Sequence, residues 1–152
     1  MKLIFLAIFI LIQALLAQTL EVKADKFEAN DKTGQSTLIG NVKIKRESDE
    51  LDAQKVVIFT DKARKIVSFY ASGGVNFTIK TNDGRLILGK SLELSYDAKT
   101  STYKLIKNAS ARERGSQNSI KGDEIILNQK SGKINVSGSK NAPAQFIFKL
   151  DG

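Results

Sequence analysis

Residues 69–79 read Phe69-Tyr70-Ala71-Ser72-Gly73-Gly74-Val75-Asn76-Phe77-Thr78-Ile79. Every second residue is apolar or small, the period of a strand with one buried face. An amphipathic helix would space its apolar residues three and four apart, and no convincing stretch of residues 18–152 does so. The alternation continues outward on both sides. Leu38, Gly40, Val42 and Ile44 precede it; Leu92, Leu94 and Tyr96 follow; Ile134 and Val136, then Phe146, Phe148 and Leu150, carry it to the end. Turn chemistry separates the runs at Asn30-Asp31-Lys32-Thr33-Gly34, Thr81-Asn82-Asp83-Gly84, Asp97-Ala98-Lys99-Thr100 and Gln129-Lys130-Ser131-Gly132. The pattern predicts an all-β protein of antiparallel hairpins. The segment Ala109–Ser119, with Arg112-Glu113-Arg114-Gly115-Ser116 at its centre, fits either a loop or an exposed strand pair.

A repeat underlies the alternation. Val22-Lys-Ala24-Asp-Lys-Phe27-Glu-Ala29, Leu51-Asp-Ala53-Gln-Lys-Val56-Val-Ile58, Ile87-Leu-Gly89-Lys-Ser-Leu92-Glu-Leu94 and Ile120-Lys-Gly122-Asp-Glu-Ile125-Ile-Leu127 each place apolar or small residues at relative positions 0, 2, 5 and 7. The odd step of three would flip a straight strand, so a β-bulge or bend is expected after each Ala or Gly. A second set recurs between these: Gly40-Asn41-Val42, Gly73-Gly74-Val75 and Lys107-Asn108-Ala109. The unit is a strand pair of roughly thirty-three residues, repeated about four times. Bent hairpins with one apolar face hide it by stacking as a solenoid or by wrapping into a two-walled roll. Both arrangements leave open edges at Leu20–Ala29 and Ala144–Leu150, where another chain's strand can add.

The chain has 152 residues, enough for one domain. It contains no histidine, cysteine or tryptophan. Ser-His-Asp and Cys-His catalysis, Cys/His zinc sites and disulfides are thereby removed. No enzyme activity, metal or cofactor is expected. The net charge of +8 points to anionic partners. The basic residues are spread over many strands without basic–aromatic interleaving, which argues against nucleic acid.

Met1-Lys2 followed by the apolar run Leu3–Ile12 and Ala14-Leu15-Leu16-Ala17 has the layout of a secretory signal, residues 1–17, ahead of a domain over 18–152. Leu15, three residues before the cut, is larger than such sites prefer. The rival is a retained anchor, although an apolar stretch of about fifteen residues is shorter than the ~20 of a spanning helix.

Three further motifs carry little. Gly84-Arg85-Leu86-Ile87-Leu88-Gly89-Lys90-Ser91 matches the P-loop pattern, but the chemistry needs a loop feeding a helix, and these residues favour a strand on both sides. Asn76, Asn108 and Asn135 begin glycosylation triplets that read as structural. Asp49-Glu50 and Asp123-Glu124 are neighbours pointing to opposite faces, so neither pair converges on a metal or a proton.

The ordered set Val22-Lys-Ala-Asp-Lys-Phe27, Leu38-Ile-Gly-Asn-Val-Lys-Ile44, Leu51-Asp-Ala-Gln-Lys-Val-Val57, Ala71-Ser-Gly-Gly-Val75 and Ile120-Lys-Gly-Asp-Glu-Ile125 resembles the OstA-like lipopolysaccharide-transport family. The resemblance implies a bent, open antiparallel β-jellyroll whose apolar groove holds the acyl chains of lipopolysaccharide. It also implies head-to-tail self-association, an inner-membrane partner of the same fold at the N-terminal edge and an outer-membrane receptor at the C-terminal edge. Periplasmic bridge and membrane-anchored components of that machinery both fit, as does a β-solenoid without ligand. The groove candidates are Val42, Ile44, Val56, Ile58, Phe69, Val75, Phe77, Leu92, Leu94, Leu105, Ile125 and Leu127. Any β protein would have such a core; it becomes a lipid groove only if the walls stay apart. Burial at ~0.8 kcal/mol per CH₂ gives a twelve-carbon chain on the order of 10 kcal/mol. Release then requires a similar groove in the next subunit. Lys and Arg at the mouth are suited to the lipid's phosphates.

Overall fold

The computed structural model describes residues 20–150, so the expected signal segment, 1–17, lies outside the described residues. The described residues form twelve strands and no helix. They are β1 (Leu20–Lys23), β2 (Lys26–Asn30), β3 (Gln35–Arg46), β4 (Asp49–Thr60), β5 (Ile66–Ser72), β6 (Val75–Lys80), β7 (Leu86–Ser91), β8 (Glu93–Asp97), β9 (Thr102–Glu113), β10 (Ser119–Asn128), β11 (Ile134–Ser137) and β12 (Gln145–Ile147). The uncertain segment Ala109–Ser119 is the end of β9, a turn, and the start of β10.

The long strands β3, β4, β9 and β10 each change partners halfway. β3 pairs with β2 over Gln35–Ile39 and with β1 over Lys43–Arg46. β4 pairs with β6 over Glu50–Asp52 and with β5 over Lys55–Thr60. β9 pairs with β8 and then β7; β10 pairs with β12 and then β11. The eight shorter strands therefore join end to end as β1–β2, β5–β6, β7–β8 and β11–β12. The result is a meander of bent strands, folded along one line into two walls that enclose the apolar core. The front wall holds β2, β5, β8, β11 and the adjoining halves of the long strands; the back wall holds β1, β6, β7, β12 and the other halves. The closed hydrogen-bonded path β4–β5–β8–β9–β7–β6 circles the bend, because β4 and β9 run through both walls.

The bend is written in left-handed residue pairs. Gly40 and Asn41 (φ 81° and 47°), Gly73 and Gly74 (83° and 86°), and Lys107 and Asn108 (66° and 51°) all have positive φ. Each pair precedes a buried residue: Val42, Val75 or Ala109. The β3–β4 register jumps from Ile39–Lys55 to Val42–Ala53, so Gly40 and Asn41 oppose Gln54 alone. The β9–β10 pair repeats this, with Lys107 and Asn108 opposing Asp123. These are β-bulges that bend the sheet. A side chain at Gly73 would lie 2.6 Å from Cβ of Gln54, so space and φ both require glycine there. The amide of Asp25 donates to the Gly40 carbonyl (2.9 Å), that of Gly74 to Leu92 (3.1 Å) and that of Leu92 to Lys107 (3.0 Å), stitching the bends together. In residues 69–79 the two glycines turn the corner between β5 and β6 without changing which face is buried, and the alternation survives the break.

One expectation is corrected. The third repeat copy buries Ile87, Gly89 and Ser91 and then Leu94, so its step of three comes two residues later than in the β4 and β10 copies. Leu92 sits on the bend with its side chain outward, 46% exposed. Its backbone amide and carbonyl are both used in the bend, and the Ser91 hydroxyl, turned inward, donates to the Glu93 carbonyl at 2.7 Å.

Candidate functional site

The walls do not meet everywhere. A cavity of about 310 Å³ lies between them and opens at their margins. The front wall contributes Ile58, Ile66, Phe69, Leu94, Tyr96 and Tyr103; the back wall contributes Ile44, Leu51, Phe77 and Ile79. Four rings form a continuous band across it. Phe69 stacks on Tyr96 (5.2 Å), Tyr96 tilts against Tyr103 (4.5 Å), and Tyr103 lies parallel to Phe77 of the opposite wall (6.4 Å). Such rings give large apolar contact with few rotatable bonds.

The mouth is polar. Arg46, Asp49 and Glu50 stand on the back-wall margin, with Lys65 and Ala98 on the front-wall margin. Arg46 Nη2 meets Asp49 Oδ2 at 3.3 Å, and Asp49 Oδ1 accepts the Lys80 amide at 2.8 Å, tying the start of β4 to the end of β6. Burial, with a smaller effect from the Asp49 carboxylate, raises the Tyr103 pKa well above 10.0, so its hydroxyl remains neutral. Further along, the mouth is pinned. Gln129 Nε2 donates to the Lys80 carbonyl (3.0 Å) and Asn82 Nδ2 to the Lys130 carbonyl (3.5 Å), joining the β10–β11 turn to the β6–β7 turn. Within that second turn, the Thr81 hydroxyl and then Arg85 hold the Asp83 carboxyl below its usual range, despite an opposing desolvation contribution.

The walls are therefore skewed: the last front-wall turn rests on the middle of the back wall. Phe146 pairs with the inward-facing Ile120 and shares its face. Phe146 and Phe148 stack at 6.0 Å yet are 52% and 61% exposed, and Leu150 is 87% exposed. The C-terminal end presents an uncovered apolar face continuous with the interior.

Of the sequence candidates, Ile44, Ile58, Phe69, Phe77 and Leu94 line the cavity. Val42, Val56, Val75, Leu105, Ile125 and Leu127 are buried in packing around it, and Leu92 faces solvent. Sequence reasoning left out Tyr96, Tyr103, Leu51, Ile66 and Ile79 as lining residues, although Leu51, Tyr96 and Ile79 stand at apolar positions of the quoted runs. Arg46 and Asp49 gave no signal, because a mouth exists only once the walls are placed. The interior offers apolar contact to a chain of methylene groups, and among the described residues that line it no nucleophile and base converge. At about 30 Å³ per water-sized group, the cavity takes roughly ten such groups, a single acyl tail. A lipid with several tails requires the walls to part.

A family model, that of the LptA/(LptD N-terminal domain) LPS transport proteins, matches residues 21–133. No curated protein matches the chain. Among solved structures, the fold is similar to that of LptH, the LptA homologous periplasmic component of the conserved lipopolysaccharide transport device from Pseudomonas aeruginosa. The TM-score is 0.76 at 19% identity, covering 88% of this chain and 96% of that one.

Proposed function

Because the chain belongs to the LptA/(LptD N-terminal domain) family of LPS transport proteins, we propose that it is a periplasmic carrier that holds lipopolysaccharide by its acyl chains between two β walls. The observation that carries this reading is the aromatic-lined cavity with a charged rim. Tails lodge among Phe69, Tyr96, Tyr103 and Phe77, while sugars and phosphates stay at the mouth near Arg46 and Lys65. Residues 1–17 act as the cleaved export signal.

The carrier works as a bridge. β1 and β2 pair only with β3, and β11 and β12 only with β10, so each end of the sheet has a free backbone edge among the described residues. Strand addition at these edges suits head-to-tail assembly, with an inner-membrane partner of the same fold at the N-terminal edge and an outer-membrane receptor at the C-terminal edge. The exposed Phe146, Phe148 and Leu150 extend the apolar path to the exit. A tail that gains on the order of 10 kcal/mol from burial moves between near-equal sites, and direction comes from an energy source elsewhere.

The test is photo-crosslinking in cells with p-benzoylphenylalanine at Phe69 or Tyr96, inside the groove, and at Tyr70, on the outer face. Lipopolysaccharide captured from the two inner positions alone supports the proposal. Capture from Tyr70 alone, or from none, refutes it.

A further inference from the structure

The outer face of the back wall is divided electrostatically. On its N-terminal side the charges cancel across strands: Lys43 faces Asp52 at 4.0 Å and Lys45 faces Glu50 at 3.7 Å. On its C-terminal side, Lys90 of β7, Arg112 of β9 and Lys121 of β10 have no acidic partner among the described residues. The register sets them around two serines. Ser110 lies between Lys90 and Lys121 on its two flanking strands, and Ser119 lies opposite Arg112. At ~4.8 Å between strands, Lys90 and Lys121 are about 10 Å apart, with Arg112 about 7 Å along β9 from Ser110. All three line a concave depression of about 420 Å³; Asp52 and Glu50 of β4 also line it, and their carboxylates are paired with Lys43 and Lys45 of β3. Phe77, Gly89 and Ala111 of the sheet itself separate it from the groove.

We propose that this depression is a phosphate-recognition site, distinct from the groove, for a ligand carrying one or two phosphate groups. Two ammonium groups and a guanidinium fork around serine hydroxyls supply charge-assisted donors from three directions. The volume lies within the range of small-ligand sites. Lys90 comes from the segment that imitates a P-loop, but it acts from a strand, as one corner of a triangle, without the helix N-terminus that a P-loop uses. A lipid headgroup and a soluble phosphorylated compound share this chemistry.

The experiment is a ¹H–¹⁵N NMR titration of the folded chain with inorganic pyrophosphate near physiological salt. Shifts are expected at Lys90, Ser110, Arg112, Ser119 and Lys121. Arg112→Gln weakens binding about ten-fold, whereas Lys43→Gln, the same charge change on the neutral side, leaves it unaltered. Co-sedimentation with phosphatidylglycerol vesicles, against phosphatidylcholine vesicles, separates the sources. Vesicle binding lost in Arg112→Gln assigns a headgroup; pyrophosphate binding without vesicle binding assigns a soluble ligand. Shifts spread over both sides, equal loss in both variants, or no binding to either probe overturns the proposal. Lipopolysaccharide is not used, so the outcome is independent of the groove.

Discussion

Replacing Gly89 with alanine tests how tightly the back wall is built against the groove. The Phe77 ring lies over Gly89, its cross-strand partner. A Cβ at position 89 would collide with Cζ and Cε1 of that ring, and even Cε2 would be only 2.9 Å away. Ordinary carbon contacts are ~3.5–4.0 Å, so the ring must retreat by roughly 1 Å or more. It is buried and parallel to Tyr103, so retreat pushes it into the aromatic band. Overpacking of this kind costs ~1–3 kcal/mol, and removing a glycine from a strand returns ~0.5–1. The difference spans ~0–2.5 kcal/mol, centred on a net loss a little over 1. Phe77→Ala alone costs ~3–5 kcal/mol. In the double variant the new methyl group enters the vacated space, and the two changes should cost at least ~1 kcal/mol less than their sum. Urea unfolding followed by tyrosine fluorescence measures all four proteins. The reasoning is refuted if Gly89→Ala is as stable as the parent, or if its cost adds to that of Phe77→Ala without coupling.

Other substitutions probe the bend, the mouth and the interior. Lys107→Gly and Lys107→Ala both remove the ion pair to Glu93 (3.2 Å), but only glycine suits the left-handed backbone, so the glycine variant should be the more stable by ~1 kcal/mol; equal unfolding midpoints would argue against a strained bend. Gln129→Ala removes the link to Lys80 at a cost of ~0.5 kcal/mol and should speed hydrogen exchange in residues 81–85 and 129–133; unchanged exchange would mean that the mouth is not pinned there. Tyr103 stays protonated in the fold above pH 10, where the unfolded chain's tyrosine ionises. Stability should therefore be intact below pH 10 and fall above it by up to ~1.4 kcal/mol per pH unit from this group. Tyr103→Phe should remove that contribution, and an identical alkaline decline in both proteins would contradict it.

The architecture was legible where burial follows period two. Residues 69–79 show the inner face of β5 and β6 directly. The repeat places the bend after Ala53 and Gly122, whereas the extra residues sit on the partner strands, at Gly40-Asn41 opposite Gln54 and at Lys107-Asn108 opposite Asp123, a set that the sequence shows as recurring without marking it as the bend. Lys107-Asn108 was the least obvious pair, since a left-handed lysine has no compositional signature. Leu92 misled because a leucine beside a serine reads as the inward member, whereas the bend needed the Leu92 backbone and the Ser91 hydroxyl found its own acceptor. The groove was harder to read. Leu105 and Ile125 look like Phe69 and Leu94 in any pattern of hydrophobicity, and only the skew of the walls decides which of them border open space. The rim at Arg46 and Asp49, and the uncovered Phe146 and Phe148, depend on that same long-range placement.

The central claim is tested most directly by intermolecular NOEs between isotope-labelled protein and the acyl methylene protons of bound lipid A. The account predicts contacts from Ile44, Phe69, Tyr96 and Tyr103, inside the walls, with none from Val57 or Tyr70 on the outer front face. Acyl contacts confined to the outer residues, or an interior unchanged when lipid is bound, would contradict it.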